Sequence, residues 1–240
     1  MKKKIAYIIN HSAFFYSHIM EVALNARKNN YQIKLFCGKA SSIKMDNFAK
    51  KKIKQKKISI IENRSESSSI NILNEFIGLT EAIKSVKKYK PDIIHCASPK
   101  GIFFGGIISK ILKIKSIVIF NSGMGFLFSN KSNFFFSIIK CIYIFILKKY
   151  IMKHKNKIIV VENKDDYSFL KKKYELKLKE IKLIKGSGVD LSKYDHIKNN
   201  KSKNVLLPAR VIKEKGIEEF ITASISLKKK YPKWNFFVAG

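Results

Sequence analysis

Short apolar segments alternate with longer segments of helical period along the first three quarters of the chain. The apolar segments, which predict strands, lie at 4–10, 31–38, 58–62, 92–96, 116–121, 156–163 and 181–188. Helices are predicted at about 17–29, 67–90, 100–113, 134–150 and 165–174. Residues 11–18 are predicted to form a loop. Continuous apolar strands are typical of a parallel sheet covered on both faces, so the alternation predicts an α/β fold with a doubly wound parallel sheet.

A polar stretch without periodicity, 194–204, follows the last of these strands. After it come a strand ending in VLLPAR, a helix at 215–231 and a second strand, KWNFFVAG. This order predicts one new βαβ unit, and the polar stretch marks a domain boundary. We therefore predict a Rossmann-like N-terminal domain at 1–190, a linker at 191–204, and the first βαβ unit of a second Rossmann-like domain at 205–240.

The charge is strongly positive, with 49 basic and 17 acidic residues and a formal net charge of +32. Such a chain attracts anionic membrane surfaces, diphosphates or nucleic acid. Most of the excess is Lys spread beside abundant Ile and Asn, which is also what an AT-rich genome produces. Nucleic-acid proteins more often cluster Arg and aromatic residues on one face, so no nucleic-acid partner is predicted. The 46% hydrophobic content disfavours disorder.

Three cysteines, Cys37, Cys96 and Cys141, lie in apolar segments without paired or metal-ligand spacing. They are predicted to be buried thiols in a reducing cytosol, and no metal site is predicted. The most apolar segment, 134–147, is broken by Lys140 and is shorter than the roughly 20 residues that a spanning helix needs. It could lie in a membrane interface, but its nearly uniform apolar character favours burial in the core.

The stretch 186–220 carries the best candidate for anion binding. Arg210 and Lys215 are five residues apart on the loop that leads into a helix, and Gly216 follows them. Free backbone N–H groups and the positive end of the helix dipole suit a phosphate there, and glycine allows a close approach. The pattern indicates a diphosphate site. The alternative is a pair of surface cations in a lysine-rich chain.

Other candidates lie where predicted strands end, which is the edge that binds ligands in open α/β sheets. Ser17 and His18 stand at a predicted helix N-terminus beside this edge, and Ser17 could simply cap the helix. Gly123 and Gly125 line a ligand site or serve as turn residues. Gly188 belongs to the turn before the linker and is placed on the same side.

Two further groups favour structural roles. His95, near the end of a predicted strand, is a weak catalytic candidate, and a neutral, hydrogen-bonded core histidine is favoured. The polar residues Glu162, Asn163, Asp165 and Asp166 could face the ligand edge, but a helix start is slightly favoured.

Four stretches, in order, resemble the family-four retaining glycosyltransferases of the two-domain GT-B architecture. They are INHSAFFYSHIMEVALNARKNNYQIKLF, KPDIIHCASPKGIFFGG, FNSGMGFLFS, and VVENKDD through IKGSGVDLSKY to PARVIKEKGIEEFI. Together they cover nearly the whole chain. Within that family they look like the bacterial enzymes of O-antigen, capsule or protein-glycan assembly.

The resemblance implies an N-terminal acceptor domain and a C-terminal domain that binds a nucleotide sugar, UDP-linked, as substrate. It implies transfer of a hexose or N-acetylhexosamine, with retention, to a polyisoprenyl-diphosphate-linked or glycan acceptor, without a cofactor or obligatory metal. Arg210 and Lys215 would hold the donor diphosphate, and Ser17 and His18 would contact the acceptor or a phosphate. Some relatives carry a catalytic histidine where this chain has Ala97-Ser98, which weakens the case for His95. The implied location is cytoplasmic, peripheral on the inner face of the bacterial plasma membrane.

The family's donor domain also carries a pair of glutamates separated by seven residues. The carboxylates of the second unit, Glu214, Glu218 and Glu219, lie too early to match them. From the sequence we therefore expect an incomplete donor domain and no measurable transfer by the 240 residues alone. The alternative is a non-catalytic acceptor-binding or membrane-recruiting subunit of a split glycosyltransferase. A basic nucleic-acid-binding protein is the third and least favoured interpretation.

Overall fold

The structure is a computed structural model that describes residues 2–67, 71–122, 134–186, 188, 191, 202–209 and 211–240. The chain divides into two compact units, Met1–Val189 and Asp190–Gly240, here called unit 1 and unit 2. The predicted linker at 191–204 lies mostly outside the described residues. The candidates Gly123, Gly125 and Arg210 lie outside them as well.

Unit 1 contains a seven-stranded sheet in the order β3-β2-β1-β4-β5-β6-β7, and every pair of neighbours is parallel. The strands are β1 Lys4–His11, β2 Gln32–Lys39, β3 Ser59–Glu66, β4 Ile93–Ala97, β5 Ser116–Asn121, β6 Lys157–Val161 and β7 Ile181–Leu183. The predicted α/β class with a parallel, Rossmann-like sheet is confirmed.

Helices connect the strands of unit 1. The first, α1, has three consecutive segments: α-helical Ser12–Phe14, π-helical Phe15–Ile19 and α-helical Met20–Lys28. The next four are α2 Ile43–Gln55, α3 Ile72–Tyr89, α4 Pro99–Ile111 and α5 Phe134–Ile146, which continues as the π-helical segment Leu147–Ile151. The last is α6 Lys164–Lys173.

The core of unit 1 lies on both faces of the sheet. Alternate residues of β1 point to opposite faces, so Ala6 and Ile8 join one buried cluster while Tyr7 and Ile9 join the other. Both clusters are built from strand residues with helical residues packed over them. Because both faces of the sheet are buried, the strand sequences are nearly continuous apolar runs.

The third strand continues past its predicted end at 62 through a polar stretch. Asn63 and Ser65 are both buried, and the Asn63 Oδ1 accepts hydrogen bonds from the Ser65 backbone N–H at 3.0 Å and from its hydroxyl at 2.5 Å. Neighbouring glycines make room for this pair. A Cβ on Gly38 would overlap the Ser65 hydroxyl oxygen, and a Cβ on Gly78 would lie 2.7 Å from the Ser65 backbone nitrogen. Paired polar groups therefore replace the apolar side chains expected of a buried strand.

Residues 11–18 are helical, so the loop predicted there is wrong. The His11 side chain caps the helix by accepting a hydrogen bond from the Phe14 backbone N–H at 3.2 Å. Ser12 is fully buried and contacts Asp46 of α2. The tertiary contact of Ser12 and the cap by His11 start the helix about five residues earlier than its apolar period suggests.

The apolar helix α5 is buried on one side only. Tyr143, Ile146 and Leu147 belong to the core, whereas Ile138, Ile142 and Phe145 are between 41% and 53% exposed. The prediction of burial is therefore wrong for that second face. Cys141 is also exposed, in contrast to the prediction, while Cys37 and Cys96 are buried as expected. No helix in the described part of the chain is both long and apolar enough to cross a membrane.

Unit 2 is one βαβ element. Its strands, β8 Asn204–Pro208 and β9 Asn235–Ala239, pair in parallel. Between them lie a 3₁₀ turn, Lys213–Lys215, and helix α7, Ile217–Lys230. Among the described residues of this unit, Ile217 alone is buried.

Candidate functional site

The sheet of unit 1 has a topological switch point between β1 and β4. The chain leaves β1 towards β2 on one side, and β4 pairs with β1 on the other side. The connections on either side run in opposite directions, and open α/β sheets bind ligands at the carboxyl ends of strands beside such a point. His11 is the last residue of β1, Ser12 follows it, and Ser98 follows β4.

Ser98 holds an unusual backbone conformation at this edge. Its φ is 66° and its ψ is 155°, a backbone conformation that residues other than glycine rarely adopt. The residue is 5% exposed. Its hydroxyl accepts a hydrogen bond from the Gly101 backbone N–H at 3.4 Å. A Cβ on Gly101 would lie 2.7 Å from the Ile8 carbonyl oxygen, so α4 begins directly against β1. Strain of this kind concentrates at functional sites, and the sequence pattern did not identify Ser98 as a candidate.

His11 is oriented by its cap hydrogen bond at the end of β1. A backbone N–H can only donate, so the bond from Phe14 requires Nδ1 to accept and puts the imidazole hydrogen of the neutral ring on Nε2. Burial lowers the pKa of His11, Asp46 opposes this effect, and His18 adds to it. His11 is therefore a neutral ring near pH 7, with an N–H group available at Nε2.

Ser17 and His18 lie inside the π-helical segment of α1 rather than at a helix N-terminus. The cap role considered for Ser17 is therefore wrong. Its hydroxyl lies 2.9 Å from the Ala13 carbonyl oxygen and 2.6 Å from His18 Nδ1. The His18 ring stacks on Phe14 with centroids 4.4 Å apart and planes 4° apart. Short π-helical segments are frequent at functional sites.

A partly buried network of charged side chains lies at the same edge, on the α2 side. Asp46 is 5% exposed and accepts a hydrogen bond from the Ser12 hydroxyl. Lys50 Nζ lies 2.6 Å from Asp46 and 2.7 Å from Glu62. Burial lowers the pKa of Lys50, but hydrogen bonds to Asp46 and Glu62 outweigh that effect and raise it above its ordinary value. The network was not predicted from the sequence, although the i, i+4 spacing of Asp46 and Lys50 was visible there.

His95 lies in the middle of β4 rather than at the ligand edge. Its ring is 8% exposed and packs against Tyr7 with centroids 5.0 Å apart. Burial lowers the pKa of His95 to about 4, so the ring is neutral. A neutral core histidine was favoured, and the structure places His95 there. The predicted hydrogen bond is absent at Nε2, which is buried without a partner among the described residues.

The polar residues after β6 begin helix α6. The Asn163 side chain accepts from the Asp166 backbone N–H at 2.7 Å, which makes it the N-cap. Asp165 and Asp166 occupy the first turn, where carboxylates are stabilised by the helix dipole. The slightly favoured assignment of these residues to a helix start agrees with the structure.

Unit 2 carries the remaining predicted residues, and its site is described separately. Lys215 is exposed and ends the 3₁₀ turn, and Gly216 has a φ of 73° at the N-cap of α7. Glu218 and Glu219 stand in the first turn of that helix, so carboxylates share the positive end of its dipole. Gly188, with a φ of 72°, is surrounded by open space, since a Cβ added there would meet no described atom within 4 Å.

No group of three or more His, Cys, Asp or Glu side chains within the described ranges is arranged to hold a metal ion. What the two units do offer is a set of neutral and cationic hydrogen-bond donors near strand and helix ends. In unit 1 these are His11 and the backbone at the start of α4, and in unit 2 the ammonium of Lys215. Such groups bind hydroxyl or phosphate oxygens.

A parallel α/β sheet with a switch point between β1 and β4 defines a Rossmann-like fold. Residues 4–163, two thirds of the chain, match the family model described as "Glycosyl transferase 4-like". The chain belongs to this glycosyltransferase family. A sequence search of curated proteins found no match.

Solved structures share the fold at low identity. S. aureus MnaA in complex with UDP is 14% identical, with a TM-score of 0.62, and the match covers 99% of this chain and 62% of MnaA. UDP-GlcNAc 2-epimerase from Neisseria meningitidis, bound to UDP-GlcNAc, is 13% identical, with a TM-score of 0.59, and the match covers 98% of this chain and 64% of the epimerase. CalG4, the calicheamicin glycosyltransferase, is 11% identical, with a TM-score of 0.55, and the match covers 100% of this chain and 66% of CalG4.

These structural likenesses support the fold class expected of a GT-B enzyme. The chain spans about three fifths of the length of these structures, between 62% and 66%. At identities below 15%, the likeness concerns the fold and carries no substrate from one protein to another.

Proposed function

We propose that this protein acts in the transfer of a hexose or N-acetylhexosamine from a UDP-linked sugar to a lipid-linked surface-glycan acceptor, with retention of configuration. Unit 1 holds the acceptor in this proposal, and unit 2 contributes to binding of the donor diphosphate. Neither a metal ion nor an organic cofactor takes part. The family match over residues 4–163 is the observation that carries the proposal.

The chemistry of the proposed donor site follows from charge. When the sugar leaves, negative charge develops on the phosphate that stays with the nucleotide, and a fixed cation stabilises that charge. Lys215 supplies one such cation at the start of α7, and Gly216 lets the backbone approach closely. Arg210 supplies the second in the proposal. Two of the similar structures were solved with UDP and with UDP-GlcNAc, which favours this class of ligand.

The donor site is tested by titrating UDP into the 240-residue protein and following binding by calorimetry. Lys215→Ala removes a charged hydrogen-bond donor, so we expect UDP affinity to fall about tenfold or more. Lys213→Ala is the matched control, because Lys213 lies in the same turn and pairs with Glu218 at 3.6 Å. We expect less than about a twofold change for the control. Equal losses in both variants would indicate a general charge effect and contradict the assignment.

The reaction is tested separately with UDP-sugar labelled in the sugar. Label that moves to a polyisoprenyl-diphosphate acceptor supports transfer and overturns the expectation that the 240 residues alone are inactive. The coupling constant of the new anomeric proton reports whether configuration is retained. If the label instead stays on UDP in an isomerised sugar, the activity is epimerisation rather than transfer. Epimerisation is the activity named for several structural neighbours. An excess of EDTA should leave the outcome unchanged, because no metal is required in the proposal.

A second candidate function is a membrane-recruiting subunit that binds acceptor without catalysing transfer. The exposed face of α5 favours it, since Ile138, Ile142 and Phe145 follow one another at helical spacing. Lys148 and Lys149 adjoin this face, and Lys149 Nζ lies 5.0 Å from the centre of the Phe145 ring. An apolar stripe beside cations suits the interface of an anionic bilayer, which is also the cytoplasmic-face location proposed for the enzyme.

Vesicles of phosphatidylglycerol and of phosphatidylcholine distinguish this function. We expect co-sedimentation with the anionic vesicles and weaker binding at high salt. Ile142→Glu should reduce the binding severalfold, because it places a carboxylate within the stripe. Leu178→Glu is the matched control, since Leu178 is an exposed apolar residue outside α5. Binding that is equal for both lipids and both variants would contradict membrane recruitment through α5.

A further inference from the structure

A cavity of about 570 Å³ lies at the amino edge of the sheet in unit 1, opposite the carboxyl edge that carries the candidate site. Asp92 and Lys115, which belong to its lining, directly precede β4 and β5. The other lining residues come from the C-terminal parts of α3 and α4 and the short segments that follow them. The volume lies within the range of about 300–1,000 Å³ that is typical of small-molecule sites. The proposed transfer reaction does not use this cavity.

The apolar part of the lining is entirely aliphatic. It consists of Ile83, Val86, Pro91, Ile111, Leu112 and Ile114. Among the described lining residues there is no aromatic, amide or hydroxyl side chain. A nucleobase would therefore have no ring to stack on, and a sugar would have no neutral polar side chain to bond its hydroxyl groups. An alkyl chain needs neither of these groups.

Four lysines complete the lining, namely Lys87, Lys90, Lys113 and Lys115, and all four are exposed. Within the described part of the chain, none of them forms an ion pair with a carboxylate. Asp92 is the one acidic residue in the described lining, and it accepts a hydrogen bond from the Lys4 backbone N–H at 2.9 Å. The cavity thus combines an aliphatic surface with an excess of positive charge.

Lysines near helix C-termini also stabilise the helix dipole, so this effect has to be weighed first. The C-terminal end of a helix is equivalent to about half a negative elementary charge. Since α3 and α4 both end at the cavity, their two ends and the Asp92 carboxylate together offset about two of the four positive charges. The other two have no counterpart among the described residues that line the cavity.

We propose that this cavity binds a free single-chain alkyl carboxylate, such as a short or medium-chain fatty acid. The alkyl chain leaves water by packing on the aliphatic side chains, and the carboxylate accepts charged hydrogen bonds from the lysine ammonium groups. A free molecule fits better than a bilayer, because the apolar side chains line a cavity of small-molecule size. This site is separate from the proposed sugar transfer and does not depend on it.

The first test locates the ligand in the full chain, with the isoleucine methyl groups labelled with ¹³C and observed by NMR. Octanoate should shift the signals of Ile83 and Ile114, which line the cavity. The signals of Ile138 and Ile142 on the exposed face of α5 should not move. Shifts confined to α5, or no shifts at all, would overturn the proposal.

Analogues then separate the contributions of the chain and the charge. Octanoate should bind at least about tenfold more tightly than acetate, because acetate has the charge without the chain. Octylamine has the same chain with a positive charge and should leave Ile83 and Ile114 unshifted. Inorganic phosphate should bind far more weakly than octanoate. If acetate or phosphate equals octanoate, the site is only a cationic patch, and if octylamine equals octanoate, it is only an apolar one; either result overturns the proposal.

Substitutions of neighbouring lysines test the position of the carboxylate. Lys87→Met removes a charge from the lining and keeps most of the side-chain stem, so octanoate affinity should fall about threefold at low salt. Lys88→Met is the matched control, because Lys88 is exposed in the same last turn of α3 but does not line the cavity. Equal losses in the two variants would show that octanoate responds only to the net charge of the chain.

A carboxylate introduced into the apolar part tests the position of the alkyl chain. Ile111 is 55% exposed, so Ile111→Glu should fold normally, repel the anionic ligand and weaken octanoate binding about tenfold or more. Ile72→Glu makes the same change of charge at an exposed isoleucine at the start of α3, away from the cavity, and should have little effect. Similar affinities for the two variants would contradict the assignment.

Phosphatidylglycerol vesicles distinguish a free ligand from a lipid surface. If the ligand is a free molecule, Ile111→Glu and Ile72→Glu should co-sediment with the vesicles to the same extent, although only the first loses octanoate binding. If Ile111→Glu loses vesicle binding as strongly as it loses octanoate binding, the cavity contacts the bilayer and the proposal of a free ligand is wrong. All these measurements are made without nucleotide, so failure of UDP to bind near Lys215 would leave their outcome unaffected.

Discussion

The two units share the strand–helix–strand pattern and differ in how much of it is buried. In unit 1, Ile94 and Ile119 on central strands are 0% and 2% exposed. In unit 2, Leu206 and Phe237 on paired strands are 55% and 50% exposed. Seven strands with helices on both faces can cover their apolar residues, and two strands with one helix cannot. An apolar pattern therefore identifies a strand, but the number of its neighbours decides how much stability it contributes.

Hydrogen exchange should show the largest difference between the units. We expect amides of β4 to exchange only through global unfolding and those of β8 through local opening, with protection factors about three orders of magnitude apart. The single tryptophan, Trp234, lies in unit 2, so its fluorescence reports on that unit during denaturation. Its transition should precede the loss of far-UV circular dichroism. One coincident transition for both probes would mean that the units unfold together.

The ion pairs should differ next most strongly. Lys50→Met leaves the carboxylate of Asp46 buried, with a side chain 6% exposed, and should lower the free energy of unfolding by about 4 kcal/mol. Lys213→Met in unit 2 is the matched change, because Lys213 and Glu218 are 79% and 67% exposed. We expect less than about 0.5 kcal/mol there. Urea denaturation measures both values, and comparable losses would show that burial does not separate these pairs.

Shortening an apolar side chain on a strand of each unit tests the same difference in burial without changing the charge. Ile94→Ala creates a cavity in the core of unit 1 and should cost about 3 kcal/mol. Leu206→Ala removes a side chain that is already half exposed and should cost about 1 kcal/mol or less in unit 2. Far-UV circular dichroism follows the first variant and Trp234 fluorescence the second. A large loss from Leu206→Ala would reveal that this face of β8 is covered in solution.

Acid should destabilise unit 1 through His95 by a similar amount. The pKa of His95 is about 4 in the fold and lies near its ordinary value of 6.5 in the unfolded chain. As the pH falls below 6.5, the unfolded chain takes up a proton that the folded chain does not, so stability falls until about pH 4. The loss amounts to about 3 kcal/mol. His95→Phe should flatten this part of the curve of unfolding free energy against pH. An unchanged slope would assign the acid sensitivity to other groups.

The strands of unit 1 were predictable because both faces of the sheet are covered. Most positions of the runs that became β1 and β4 are apolar, and alternation with helices was enough to predict parallel pairing. The end of β3 was not predictable in this way, since Asn63 and Ser65 are buried as a hydrogen-bonded pair. A local pattern cannot reveal a polar partner or the glycine that makes room for it.

The candidate site was predictable as an edge rather than as a set of contacts. The ends of β1 and β4 follow from the strand pattern, and His18 was identified there. The roles of His11, Ser12 and Ser98 depend on a helix cap, a buried carboxylate and a strained backbone that only the folded chain displays. The exposed face of α5 was missed because apolar composition alone does not say which side of a helix is covered.

Because Phe15–Ile19 is π-helical, the number of residues in this segment matters as much as which residues they are. Met20 N–H donates to the Phe15 carbonyl oxygen five residues back, so this turn holds one residue more than an α-helical turn. Losing one codon here would restore ordinary helical winding and rotate His18 by about 100° relative to the residues that follow it. Insertions and deletions, rather than substitutions, would then be the changes that most readily reorient His18 at this edge of the sheet.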